Sequence, residues 1–213
     1  GETAESSASV SIDPDRVTVK LPEDFALPAD GVHIRWPDLP IAMAQERRIA
    51  GFKVYAAQAY ARANRLNYTV FDSPNPRLGI ISCGKAYLDV RQALEDLGID
   101  QTEAARIGIR LYKVGLVWPL EADGVREFAG GLEEILVVEE KRQIIEYLLK
   151  EQLYNWREDV RPRVVGKYDE RGEWGAVHGS YLLPPTGELT PAIIARAIAL
   201  RIARFHSSDT IRE

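Results

Sequence analysis

The side chains able to do chemistry are few. Cys83 is the single cysteine of the 213 residues. One thiolate can neither close a structural zinc site nor hold an iron–sulfur cluster, which normally takes four. Cys83 ends an apolar run, where a cysteine reads as core more readily than as a nucleophile. The three histidines, His33, His178 and His206, have no metal-ligand spacing. No GxSxG elbow and no GxGxxG fingerprint occurs. Gly79 to Ala86, GIISCGKA, approaches the phosphate loop GxxxxGK[ST]. Ala86 lacks the hydroxyl that magnesium would need, and the four residues before Gly84 read as buried strand. The expectation is a strand-to-helix turn at Gly84 with Lys85 exposed.

The most informative cluster is Val137 to Arg142, VVEEKR. Glu139 and Glu140 at the end of a strand, entering a helix, suit the positive end of the helix dipole. Lys141 and Arg142, read as the first turn of a helix running to about Tyr154, oppose that dipole at about 0.3–1 kcal/mol each. Such a pair is explained if it meets an anion or a partner's carboxylates, or if it is a solvated, locally paired cluster.

These groups need elements to position them. Leu78 to Cys83 is a buried strand, and Ala86 to Leu97 an amphipathic helix that Gly98 stops. Ile107 to Val117 reads as a second strand, closed by Trp118-Pro119. A helix from about Glu121 to Ala129, a third strand Glu134 to Val138, its helix and a short strand at Val164-Val165 follow. Asp169 to Gly187 reads as a polar loop. Thr190-Pro191 opens a last helix running to about Arg204. Strands alternating with helices predict a mostly parallel α/β sheet domain over 77–213. Ahead of it, 1–76 reads as an extended arm lying across something else, then a helix capped by Asp38 and running to about Ala63. SPNP, Ser73 to Pro76, reads as the linker. In an open parallel sheet, ligands sit outside the carboxyl ends of the strands. The candidates for a ligand or domain interface are therefore Gly84, Lys85, Trp118, Glu139, Glu140, Lys141, Arg142 and Lys167.

Composition narrows the partners. A net charge of −5 gives no overall attraction for nucleic acid, and no run reaches the roughly 18 apolar residues of a membrane span. The polar start GETAESSASVSID lacks the apolar core of a signal peptide and reads as disordered. With one cysteine, a reducing cytoplasm is expected. Gly1 in place of methionine suggests a piece of something longer.

Three long motifs in order, LGIISCGKAYLDVRQALEDLGI, LYKVGLVWPLE and GLEEILVVEEKRQIIEYLLKEQLYN, resemble an internal region of indolepyruvate ferredoxin oxidoreductases. HIRWPD (33–38) and ARANRLN (61–67) resemble the segment before it. The likeness covers about Asp24 to Arg204 and is strongest to the long fused bacterial members. It implies a three-layer α/β/α sandwich like the transketolase C-terminal domain. The antiparallel edge strand usual there is not visible in the pattern.

The resemblance also implies an enzyme that oxidatively decarboxylates aryl-pyruvates to acyl-coenzyme A. Thiamine diphosphate with magnesium and iron–sulfur clusters serve it, and electrons pass to ferredoxin. This sequence has neither the GDG magnesium motif nor the cluster cysteines, so no catalytic residue carries over. The expectation is a non-catalytic assembly domain, partnered by other domains of the same enzyme, alone or as a homodimer. Two alternatives stand beside it. One is a free-standing module holding an anion such as a coenzyme A phosphate with Lys85, Lys141 and Arg142. The other is an enzyme using Cys83 or the Glu139–Glu140 pair.

Overall fold

The structure, a computed structural model, describes residues 12–35, 40–175 and 180–207. Residues 1–11, the Asp38 cap, the end of HIRWPD and His178 lie outside them. The chain divides into two compact units, 1–65 and 66–213.

In the first unit a short 3-10 turn, Pro14–Arg16, leads into an arm without regular structure. The helix is built of α1 (Ala42–Arg48), a π-turn over Ile49–Lys53 and α2 (Val54–Ala63), which ends at Asn64 as the sequence predicts. The arm is held by this same helix. Lys20 and the Asn64 side chain exchange two hydrogen bonds of 2.8 Å. Asp24 pairs with Arg62 and Asp30 with Arg48, each at 2.7 Å. Exposed pairs of this kind add little stability, because solvent screens them.

The second unit begins at Leu66, so the boundary expected at Pro76/Arg77 falls inside it. Its first strand, β1 (Tyr68–Phe71), is the edge strand that the pattern did not display. It runs antiparallel to β3 (Ile109–Val114), with Tyr68 opposite Lys113. The SPNP stretch is thus a connection within the sheet. Ser73 is buried there, and its hydroxyl donates to the Ala105 carbonyl at 2.7 Å. β2 (Leu78–Cys83), β4 (Glu134–Val138) and β5 (Arg163–Val165) complete a sheet of order β1-β3-β2-β4-β5, parallel except at β1.

Strand periodicity sorts the two cores. Ile80, Leu111, Leu136 and Val138 face α3 (Gly84–Asp96) and α8 (Pro191–Ile202), through Val90, Leu94, Ile194 and Ile198. Ile81, Tyr112, Ile135 and Val137 face α5 (Ala122–Ala129) and α6 (Ile145–Leu153), through Phe128, Leu149 and Leu153. Helices on both faces make the expected α/β/α sandwich, and strands buried on both faces explain why β2 and β4 are apolar apart from Ser82 and Glu134. Each such Leu or Ile contributes about 1.5–3 kcal/mol. Gly79 is required by the packing, since a Cβ there would lie 2.5 Å from Leu132 Cδ1 and 2.7 Å from Phe128 Cζ.

Two helices depart from the expectations. α4 (Gln101–Ile107) occupies residues that the pattern leaves without a helix, and Asp100 caps it by accepting from Glu103 N–H at 2.8 Å. α6 starts at Ile145 rather than Lys141. α3 begins at Gly84 and closes on Gly98 at φ +69°. The Ile99 N–H donates to the Leu94 carbonyl at 2.8 Å, and the Gly98 N–H to that of Glu95 at 2.9 Å, the two bonds of a left-handed cap.

Candidate functional site

The carboxyl ends of β2, β3, β4 and β5 deliver the sequence candidates to one edge of the sheet. The chain leaves β2 toward one face, and leaves β3 and β4 toward the other. This is the reversal at which open α/β sheets hold ligands.

Glu139 follows β4 and is buried. Its Oε1 accepts from the N–H groups of Ile144 and Ile145 at 2.9 Å, and its Oε2 from Glu146 N–H at 2.8 Å. One carboxylate thereby satisfies three donors at the start of α6, where the dipole also favours it. Glu121, after β3, does the same for α5, accepting from Asp123 N–H at 3.0 Å and Gly124 N–H at 2.8 Å. Glu121 is not among the sequence candidates. A glutamate just ahead of an apolar helical run was the available signal.

Lys167, just past β5, is 1% exposed. Its ammonium donates to the Glu139 carbonyl and, at 3.1 Å, to the Pro184 carbonyl. Burial pushes its pKa down, against the pull of Glu139 and Glu146. Glu146 is buried as well, bound by Lys150 Nζ at 2.6 Å and by the Lys167 N–H at 3.1 Å. A Cβ on Gly166 would come within 2.1 Å of Glu146 Oε2 and 3.2 Å of the Val137 carbonyl, so any larger residue there would displace the buried carboxylate.

Lys141 and Arg142 stand in the turn before α6 and so do not oppose its dipole. Lys141, at φ +60°, donates to the Gly187 carbonyl at 2.5 Å. Arg142 forks onto Glu173 at 2.9 and 3.1 Å, and Glu173 also accepts from the Tyr147 hydroxyl at 3.3 Å. Glu173 belongs to a four-residue turn of helix, α7 (Gly172–Gly175). Lys85 is paired rather than free in solvent, with Asp89 at 2.9 Å and Glu188 at 3.3 Å. These partners, Asp89 foremost, raise its pKa.

Pro184, Gly187 and Glu188 are therefore held by lysines after β5, β4 and β2 respectively. Residues 184–188 form a strap tied to the ends of three strands. Gly84 at φ +54° leaves open space where a Cβ would be. Trp118 is 62% exposed after β3, next to the cis bond to Pro119. Glu140 is half-buried and acts on Lys167 through its charge. Cys83 is half-buried, its thiol pushed up in pKa by burial and then by Glu139, the reverse of an activated nucleophile. Gly79 to Ser82 are strand, so no phosphate-wrapping loop forms.

An α/β sandwich whose carboxyl edge is tied down by its own strap is the class this geometry defines. The comparisons give the family. A model of the indolepyruvate ferredoxin oxidoreductase middle domain matches residues 67–212, and the chain belongs to that family. The indolepyruvate oxidoreductase subunit IorA of Methanothermobacter marburgensis is 28% identical over 188 residues, covering 86% of this chain and 27% of that protein. IorA of Thermococcus kodakarensis is 29% identical over 123 residues, 58% of this chain and 16% of that protein. The chain thus spans about a quarter or less of the length of these relatives. Among solved structures, a 2-oxoglutarate:ferredoxin oxidoreductase from Magnetococcus marinus aligns with TM-score 0.46 at 16% identity, over 76% of this chain and 24% of that one. A split-gene transketolase aligns at 0.38 and 17%, over 63% of this chain and 41% of that one. Likenesses this distant bear on neither substrate nor site.

Among the described residues, no group of three His, Cys, Asp or Glu is placed to hold a metal, and no helix is long and apolar enough to cross a membrane.

Proposed function

We propose that this chain is a non-catalytic assembly domain of a thiamine-diphosphate-dependent 2-oxoacid ferredoxin oxidoreductase. The whole enzyme would decarboxylate indolepyruvate or a related aryl-pyruvate to an acyl-coenzyme A and reduce ferredoxin. One observation carries the assembly role: at the sheet edge where a ligand would bind, Lys85, Glu139, Lys141, Arg142 and Lys167 are all bound to groups of this same chain. They order the strap and present a fixed surface to other domains of the enzyme.

The residues here do not fit thiamine diphosphate or its magnesium. The buried carboxylates beside the edge, Glu121 and Glu139, already accept backbone N–H groups. Cys83 alone cannot hold a cluster. No step of the reaction is assigned to this chain. The module that would grip coenzyme A with Lys85, Lys141 and Arg142 draws no support from the geometry, since all three are engaged.

The test compares ferredoxin reduction driven by indolepyruvate in the complete enzyme and in this chain. Turnover is expected in the complete enzyme only, and its assembly should fail when residues 67–212 are replaced by a flexible linker. Turnover by this chain alone, or an intact and active enzyme after the replacement, would overturn the reading.

A further inference from the structure

The opposite edge of the sheet, where the strands begin, has a different character. Leu78, Glu134 and Arg163 open β2, β4 and β5 there, and the end of α8 and the turn after it bring Arg201 and Arg204 to the same place. A cavity of about 270 Å³ lies among Arg77, Glu133, Glu134, Arg163, Arg201 and Arg204.

The guanidinium groups are not equally engaged. Arg77 is fully used, by Glu133 at 2.7 and 3.1 Å and the Phe205 carbonyl at 3.2 Å, and it lies 4.7 Å over the Phe205 ring. Arg201, almost wholly buried, is locked by a two-pronged pair with Glu134 at 2.5 Å and by Glu170 at 3.2 Å. Its Nη1 meets no acceptor among the described residues. Arg204 gives only Nη1 to Glu170, at 2.9 Å, and Arg163 only Nη1 to Glu134, at 3.2 Å. Nε and Nη2 of both remain uncommitted. Four guanidinium groups face three carboxylates, so one positive charge is over in a chain of net charge −5.

We propose that this amino edge is a binding site for a small phosphate-class oxyanion, held by Arg163, Arg201 and Arg204. Planar guanidinium forks match the oxygens of such a group, and their hydrogen bonds to an anion are charge-assisted. Arg201 is the fixed member, set by its buried pair with Glu134, while Arg163 and Arg204 are half-exposed and supply the spare donors. Glu170 accepts from both Arg204 and Arg201, and the Arg204 hydrogen bond foremost lowers its carboxyl to about 2. A second cavity, of about 370 Å³, shares Arg201 and Arg204 and reaches Tyr181. A phosphate monoester therefore has room for its attached group on that side. The site is independent of the assembly role.

The experiment is calorimetry of the chain at low ionic strength, with inorganic phosphate, a sugar phosphate monoester and acetate as separate titrants. Saturable one-to-one binding of inorganic phosphate is expected, with weaker binding of acetate. A monoester bound more tightly than phosphate would show that the Tyr181 cavity contributes. Arg163→Gln and Arg204→Gln should each weaken phosphate at least tenfold, while Arg106→Gln, an exposed arginine paired with Glu103 that lines neither cavity, should not. Arg163 is the safer variant for folding, having a single 3.2 Å bond to lose. Absence of saturable phosphate binding, or binding that Arg163→Gln leaves unchanged in a folded protein, would show that the arginines serve only their internal ion pairs.

Discussion

The ammonium of Lys167 donates to the main-chain carbonyl of Glu139, and the carboxylate of that same Glu139 caps α6. One residue after β4 is thus fixed from both sides, by a buried cation on its backbone and by a helix start on its side chain. The carboxyl edge is built around this relationship, and the strap joins it through Pro184.

Lys167→Met keeps an unbranched apolar stem and removes the donor. The Glu139 and Pro184 carbonyls then lose their partner in a buried place, which costs about 1–3 kcal/mol. Urea denaturation should show that loss, and hydrogen exchange should rise across 182–189. A variant with unchanged stability and exchange would mean that the ammonium does not hold the strap.

Glu139→Gln retains size but replaces a charged acceptor of three N–H groups with a neutral one. Loss of about 1–2 kcal/mol is expected, of the order of a lost helix cap. The loss should concentrate in α6, read as faster exchange of its first amides. Equal exchange in both proteins would place the helix start under other control.

Replacing Lys141 and Arg142 together with Ala should leave the urea midpoint of global unfolding nearly unchanged, because both are exposed and their pairs are screened by solvent. The effect belongs to the loop, where Glu173 and Gly187 lose their ties. Limited proteolysis should cut within 170–190 faster than in the parent chain. Unfolding of the double variant would instead make these residues part of the fold.

What the sequence made legible follows from where the information lies. β4 and the start of α8 were readable because continuous apolar residues and Thr190-Pro191 are local signals. β1 was not, since Tyr68 to Phe71 is short, partly polar and a strand only through pairing with Lys113 and its neighbours. α4 had a signal in Asp100 and Glu103, passed over beside the stronger strand that follows. At the edge, the strand-end positions of Lys85, Lys141 and Lys167 were legible. Their partners Glu188, Gly187 and Pro184 were not, because they come from a loop whose path no local pattern encodes. The same blindness turned Lys141 and Arg142 into residues of a helix that in fact begins at Ile145.

Acid should loosen the end of α8. Glu170 has its pKa lowered from 4.5 to about 2, chiefly by hydrogen bonds from Arg204, helped by its own backbone and Arg201. A depressed carboxyl contributes stability that is complete above the unfolded value and fades as pH falls from 4.5 toward 2. Glu170→Gln should flatten that part of the stability–pH curve and leave its shape above pH 5 unchanged. An identical acid limb in both proteins would show that the Glu170 contacts do not persist in solution.

The proposed assembly domain would shape an oxidoreductase without holding its cofactor. Titrating the chain with thiamine diphosphate in the presence of magnesium, by calorimetry, tests it most directly. No saturable binding is expected, because the carboxylates beside the sheet edge are spent on helix starts and, among the described residues, no group of three His, Cys, Asp or Glu is placed to hold a metal. One-to-one binding in the micromolar range would contradict it.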